Sequence, residues 1–448
     1  MTSAAHALEL TGGGLALAGR DGALLAEPAC AVFDGALPSV GRAARGRARL
    51  VPLYASSRYL EEPALEPLPR PGPLAHSHAD LVYAHLRSLA PALGGEPLLL
   101  AVSSAYTLAE LALLAGIAAA AGLAVAGIVD AAVAACADVA STPRALHLDL
   151  GMHRAVLTEL DRGAELRRGR VAVARGLGLR AFEDAAARCV GRLLVGATRF
   201  DPLHRAASEQ LLYDRLPAWL VAAAAGEATV AIEHAGLSHA TRVRGAELAA
   251  ALAPLAAEVT RLVDGACRAG EPVTLYTTAP VAAVPGLAAA LAALEHCELV
   301  ALPAGAAARG ALARAAGLAG GAGLEFVSAL RGAAALMPAD PGGRAAPGAA
   351  PSHVLYEGRA YALGAEPLLV GREPGGAGGI VLSGPLAGVS RRHCRLSARG
   401  GEALLEDLST YGTFLNGGRV RQRARLAAGD RIRVGTPGVE LGLVRRAG

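Results

Sequence analysis

At 448 residues, 53% of them apolar, the chain is long enough for two or three domains with a large buried core, and too apolar to be disordered. Its net charge of +4 is too small for a protein that works chiefly by gripping nucleic acid. The charge is nonetheless uneven: residues 353–448 hold 14 arginines against 8 acidic residues, net +6, and residues 1–352 carry −2.

Lysine is absent, asparagine occurs once (Asn416), and aromatics make up 3%, so the cores are built from Leu, Val and Ala. Six scattered cysteines show no CxxC pair and no metal spacing, which predicts reduced, buried thiols in a cytoplasmic chain. The N-terminus MTSAAHALEL has neither the basic region nor the apolar core of a secretory signal.

In chain order, residues 6–35 predict strand, turn, strand, turn, strand, with Gly12-Gly13-Gly14 and Arg20-Asp21-Gly22 as turn signals. The proline-rich residues 61–74 form an extended connection. A helix over 77–89, a strand over 97–102, a helix over 108–121, a strand over 123–129 and a helix over 131–140 follow. Residues 111–129 are uncharged and of nearly membrane-spanning length, but they are rich in Ala and Gly and flanked by Glu110 and Asp130, so a buried helix and strand are expected rather than a span. His76, His78 and Asp80 have a metal-like look; positions i and i+2 of a helix diverge, and capping by Ser77 explains the cluster.

Strands over 145–150 and up to Leu160 surround Gly151, and 178–225 is mainly helical, with Trp219 in a core. A hairpin at 228–243, carrying surface histidines His234 and His239, leads to a helix over 247–267. The strand 273–276, the helix 286–294, the strand 299–302 and the helix 304–316 follow. Residues 337–352 are rich in Pro, Gly and Ala and form a flexible linker between a domain at 1–336 and one at 353–448.

The most informative stretch runs from Gly371 to Gly417: LLVGRE at 368–373, GVSRRHCRLS at 388–397 and LEDLSTYGTFLNG at 405–417. Arg372 offers a planar guanidinium fork, Ser390 and Thr410 offer hydroxyls, and loops between short strands can bring all three onto one anion. This spacing closely resembles the forkhead-associated (FHA) domain, a β-sandwich that binds phosphothreonine peptides. The resemblance implies phosphate contacts from Arg372, Ser390, Arg391 and Thr410, and structural roles for Gly371, His393, Gly412 and Asn416. Tyr411 stands where that family usually has the asparagine that holds the peptide backbone.

Residues 5–320 resemble the actin and heat-shock chaperone ATPase superfamily, a two-lobed α/β fold. The motifs are AVSSAYTLAELALLAGIAAAAGLAVAGIVDAAVAA at 101–135, ALHLDLGMHRAVLTEL at 145–160 and AAARGALARA at 307–316. The resemblance implies ATP and Mg²⁺ as ligands, with Asp149, Gly151 and Gly310 at the nucleotide. It also fails at several positions: Met152, His153 and Arg154 replace the Gly-Gly-Thr of the second phosphate loop, Glu9 and Asp130 replace the usual Asp and Glu, and Thr277-Thr278 replace a Gly-Gly. The expectation is an actin-like, non-hydrolysing scaffold with no catalytic residue and no metal, joined to an all-β FHA sandwich that binds a threonine-phosphorylated protein and neither nucleic acid nor membrane. The alternatives are an ATP-driven chaperone-like or filament-type ATPase targeted by its FHA domain, and a basic module that uses the arginines of 419–433 on nucleic acid.

Overall fold

Apolar residues at every second position of Leu98–Val102 face two different cores: Leu98, Leu100 and Val102 one way, Leu99 and Ala101 the other, all fully buried. Burial of each such leucine is worth about 1.5–3 kcal/mol. This strand is central in the first of two six-stranded sheets. His6–Thr11, Gly14–Gly19 and Leu24–Pro28 form an antiparallel meander; Leu98–Val102 lies parallel beside His6–Thr11, Val125–Asp130 lies parallel beyond it, and Phe326–Val327 is at the edge.

The second sheet repeats that order. Arg144–Leu150, Arg154–Arg162 and Leu166–Arg175 form the meander, and Val273–Thr277 and Cys297–Ala301 are added in parallel on the other side of Arg144–Leu150. Ala329–Leu330 pairs with Leu166–Arg175, so residues 326–330 join both sheets.

The structure, a computed structural model, describes residues 4–20, 22–139, 142, 144–234, 236–268, 271–295, 297–318, 326–330, 350–356, 359–375, 379–382, 389–399, 402–410, 412–416, 418–420, 422–427, 430–435 and 439–444. It divides into two compact units, Met1–Ala335 and Leu336–Gly448. Residues 337–349 of the expected linker lie outside the described residues.

Helix positions follow from caps and periodicity. Ser77 and Asp80 form a reciprocal capping box at the start of His78–Leu93, so the Asp80 carboxylate is a capping group, and Leu81, Val82, Leu86, Leu89 and Leu93 give that helix one buried face. Thr107 and Glu110 cap Leu108–Ala120 in the same way. The apolar stretch 111–129 then breaks at Gly122 (φ 81°) and continues as the strand Val125–Asp130; among the described residues no helix is long and apolar enough to cross a membrane.

Helices Leu179–Thr198, Ala206–Ala224 and Gly245–Asp264 pack on the second sheet, with Trp219 in their core. The hairpin of Glu227–His234 and Leu237–Arg244 puts His234 and His239 in ring contact with Phe200, at 5.2 and 4.1 Å between centroids, so they are half-buried rather than free surface residues.

The second unit is all β. One sheet runs Arg359–Ala362, His353–Tyr356, Val439–Val444, Arg431–Val434, Thr413–Leu415, Gly418–Arg419; the other runs Ile380–Val381, Leu368–Gly371, Cys394–Arg399, Glu402–Asp407, Arg423–Leu426. Val354, Val370, Ile380, Leu396, Leu405, Ile432 and Leu441 share one buried core, as expected for a sandwich.

Candidate functional site

In the second unit, glycine lets two loops approach. A Cβ on Gly371, at the end of Leu368–Gly371, would overlap the Arg391 carbonyl, and its absence lets residues 390–393 close on the strand end. There the Arg372 N–H donates to the Ser390 carbonyl (3.3 Å), Glu373 N–H to the Arg391 carbonyl (3.0 Å) and His393 N–H to the Val370 carbonyl (2.8 Å). The Thr410 N–H reaches the Ser390 Oγ (3.4 Å), which brings in a third loop. Arg372, Ser390, Arg391 and Thr410 thus meet at one end of the sandwich; Ser390 is half-buried and the other three are exposed. Tyr411 lies outside the described residues.

The support beneath is a hydrogen-bonded network around a buried histidine. His393 is 0% exposed; its Nδ1 accepts the Ser390 N–H (3.1 Å), so Nε2 carries the proton and donates to the Gly412 carbonyl (3.1 Å). Burial holds this imidazole below its ordinary pKa, against the Gly412 bond and Asp407, which raise it. For Asp407 burial works upward, but hydrogen bonds from Ser409 and Thr413 outweigh it and hold the carboxyl below the usual range. Gly412 has φ 102° and Asn416 φ 49°. The Asn416 amide donates to Asp430 (2.8 Å) and accepts the Arg431 N–H (2.9 Å), an orientation assigned from that network. Asn416 therefore fixes a turn. The exposed residues Arg372 and Arg391 flank Ser390 in these loops, and guanidinium and hydroxyl groups are the chemistry that suits an oxyanion.

The first unit holds a cleft of about 590 Å³ between its two sheets. Glu9, His147 and Asp149 line it together with Thr11 and Thr278, and Arg42 and Arg45 also border it. The Glu9 carboxylate accepts the Ala307 N–H (3.0 Å) at the start of Ala306–Ala313; burial, and then Asp149, push Glu9 up to about 7. Burial likewise raises Asp149 to about 6, against a hydrogen bond from Thr278 (3.3 Å). Sequence reasoning places Gly310 at the nucleotide; the structure puts it against Ala134, whose carbonyl a Cβ would overlap, and outside the cleft lining. Asp130 also lies outside that lining, capping Ala131–Cys136 and meeting Arg168 at 3.4 Å.

The second hairpin tip departs from a phosphate loop more deeply than its side chains suggest. Gly151 N–H donates to the Arg154 carbonyl (3.0 Å), Met152 N–H to the Gly12 carbonyl (3.1 Å) and His153 N–H to Glu61 Oε1 (2.8 Å). The side chains of 153 and 154 turn to the first sheet's side, with His153 Nε2 at 2.8 Å from Ser57 Oγ and Arg154 at 3.9 Å from Glu61. Glu61 was invisible to motif reading because it sits in the proline-rich connection, 92 residues from its partner His153. Burial raises it to about 7, against the His153 N–H and Arg154. With these three N–H groups engaged internally, the tip offers none of them to a phosphate.

Residues 368–435 match the family model for the FHA domain. The FHA domain-containing protein FhaB of Mycobacterium tuberculosis (strain CDC 1551 / Oshkosh) is 39% identical over 85 residues, 19% of this chain and 52% of that protein. FhaB of Mycolicibacterium smegmatis (strain ATCC 700084 / mc(2)155) matches to the same extent. The chain thus spans about half the length of the curated relatives it matches. Family match, sandwich and braced loops agree: the second unit carries an FHA domain at residues 368–435.

Proposed function

We propose that this chain is a phosphothreonine-dependent interaction scaffold: its FHA domain holds a threonine-phosphorylated protein, and its first unit is an actin-like, two-lobed domain that does not hydrolyse ATP. The observation that carries the reading is the convergence of Arg372, Ser390 and Thr410 through two hydrogen bonds to Ser390. A phosphate brings about −1.5 to −2 charges and three acceptor oxygens, which suit a guanidinium fork, a hydroxyl and the added charge of Arg391. In the first unit, support comes from one strand order repeated in two sheets with a cleft between them, and from the internally satisfied tip at 151–153.

The acidic cleft floor at Glu9 and Asp149 favours a second reading, nucleotide binding with Mg²⁺ in an ATPase targeted by its FHA domain. A pull-down from host lysate, with and without phosphatase, tests the scaffold: partners should be recovered only from untreated lysate. Recovery insensitive to phosphatase contradicts it.

A further inference from the structure

Gly12 and Gly151 sit at the tips of the first hairpin of each sheet, where bare backbone can approach a ligand from both sides. What fills that space is part of the chain. The nearest atoms to a Cβ on Gly12 would all belong to Glu61, and a Cβ on Gly151 would overlap Glu61 Oε1. That oxygen accepts the His153 N–H, the other carboxylate oxygen faces Arg154, and Glu61 is 1% exposed. A backbone N–H, an arginine and two glycines around one carboxylate are the elements of an oxyanion site, already satisfied.

We propose that the anion position between the two glycine hairpins is occupied in cis by the Glu61 carboxylate, which denies that position to polyphosphates. This rests on the reading of the first unit as an actin-like domain without turnover, and it identifies the residue responsible. The Met152 N–H bond to the Gly12 carbonyl holds the hairpins together around the carboxylate. Of the three engaged N–H groups at 151–153, two bond backbone carbonyls and the His153 N–H bonds Glu61, so the donor that a competing oxyanion gains there when Glu61 is gone is the His153 N–H.

The test uses the full chain carrying Arg372→Ala, so that the FHA loops do not report, and inorganic pyrophosphate, which needs no base pocket. With Glu61 present, calorimetric titration should show no binding and no rise in melting midpoint. With Glu61→Ala, pyrophosphate should bind at least about tenfold more tightly and raise the midpoint with concentration. Equal binding by the two chains, or a folded Glu61→Ala chain that gains nothing, overturns the proposal. If Glu61→Ala does not fold, Gly12→Ala decides. Its φ is not positive, so the new methyl group meets Glu61 first and should lower the midpoint by forcing the carboxylate off the His153 N–H. An unchanged or raised midpoint means that the carboxylate does not hold the site.

Discussion

His393 shows how one buried side chain couples the recognition loops to pH. Its folded-state pKa lies below the 6.5 of a free imidazole because burial disfavours the cation. As pH falls below 6.5, the unfolded chain takes up a proton that the folded domain resists. The contribution is therefore fully present above 6.5 and is lost as pH falls towards the lower folded value. Denaturant midpoints of the second unit should drop more steeply between about pH 7 and about pH 5 in the parent than in His393→Asn, and parallel slopes would contradict this. The sequence shows Arg372, Ser390, His393 and Asn416 because their motif lies within 45 residues and each side chain has distinctive chemistry. It does not show Glu61, whose importance arises from contacts across the fold with Gly12, Gly151 and His153.

Elements were legible where local physics sets them. The capping boxes at Ser77 and Thr107 start their helices, and the apolar run 111–129 divides at a glycine, as its composition predicts. Removing the Ser77 hydroxyl leaves the Asp80 N–H without its cap partner. Ser77→Ala should thus lower the unfolding free energy of the first unit by about 1 kcal/mol. Ser77→Asp should retain most of it, and chemical denaturation that finds no loss in the alanine variant contradicts the cap. Less legible is why small residues gather at 307–316. Composition suits room for an adenosine, but Gly310 instead lets its helix close on the Ala134 backbone. Both uses demand a missing Cβ, and only the packing distinguishes them.

At the scale of the whole molecule, the chain forms two compact units with separate cores, and the second carries the FHA domain. The repeated strand order was foreshadowed by hairpins followed by helix–strand units, whereas the engaged tip N–H groups required the tertiary structure. No appreciable ATP turnover is expected, because the tip at 151–153 has these three donors committed. A phosphate-release assay with Mg-ATP should find the parent no faster than Asp149→Ala, and a Mg-dependent rate lost in that variant would contradict the scaffold. The central claim, phosphothreonine recognition, is tested most directly by fluorescence-anisotropy titration of the full chain with a degenerate phosphothreonine peptide library and its unphosphorylated twin. The parent should bind only the phosphorylated library. A charge-assisted hydrogen bond is worth about 1.5–3 kcal/mol, and about 1.4 kcal/mol is one decade, so Arg372→Ala should weaken binding by at least about tenfold. Equal affinity for both libraries, or a folded Arg372→Ala chain that binds as the parent does, would contradict the account.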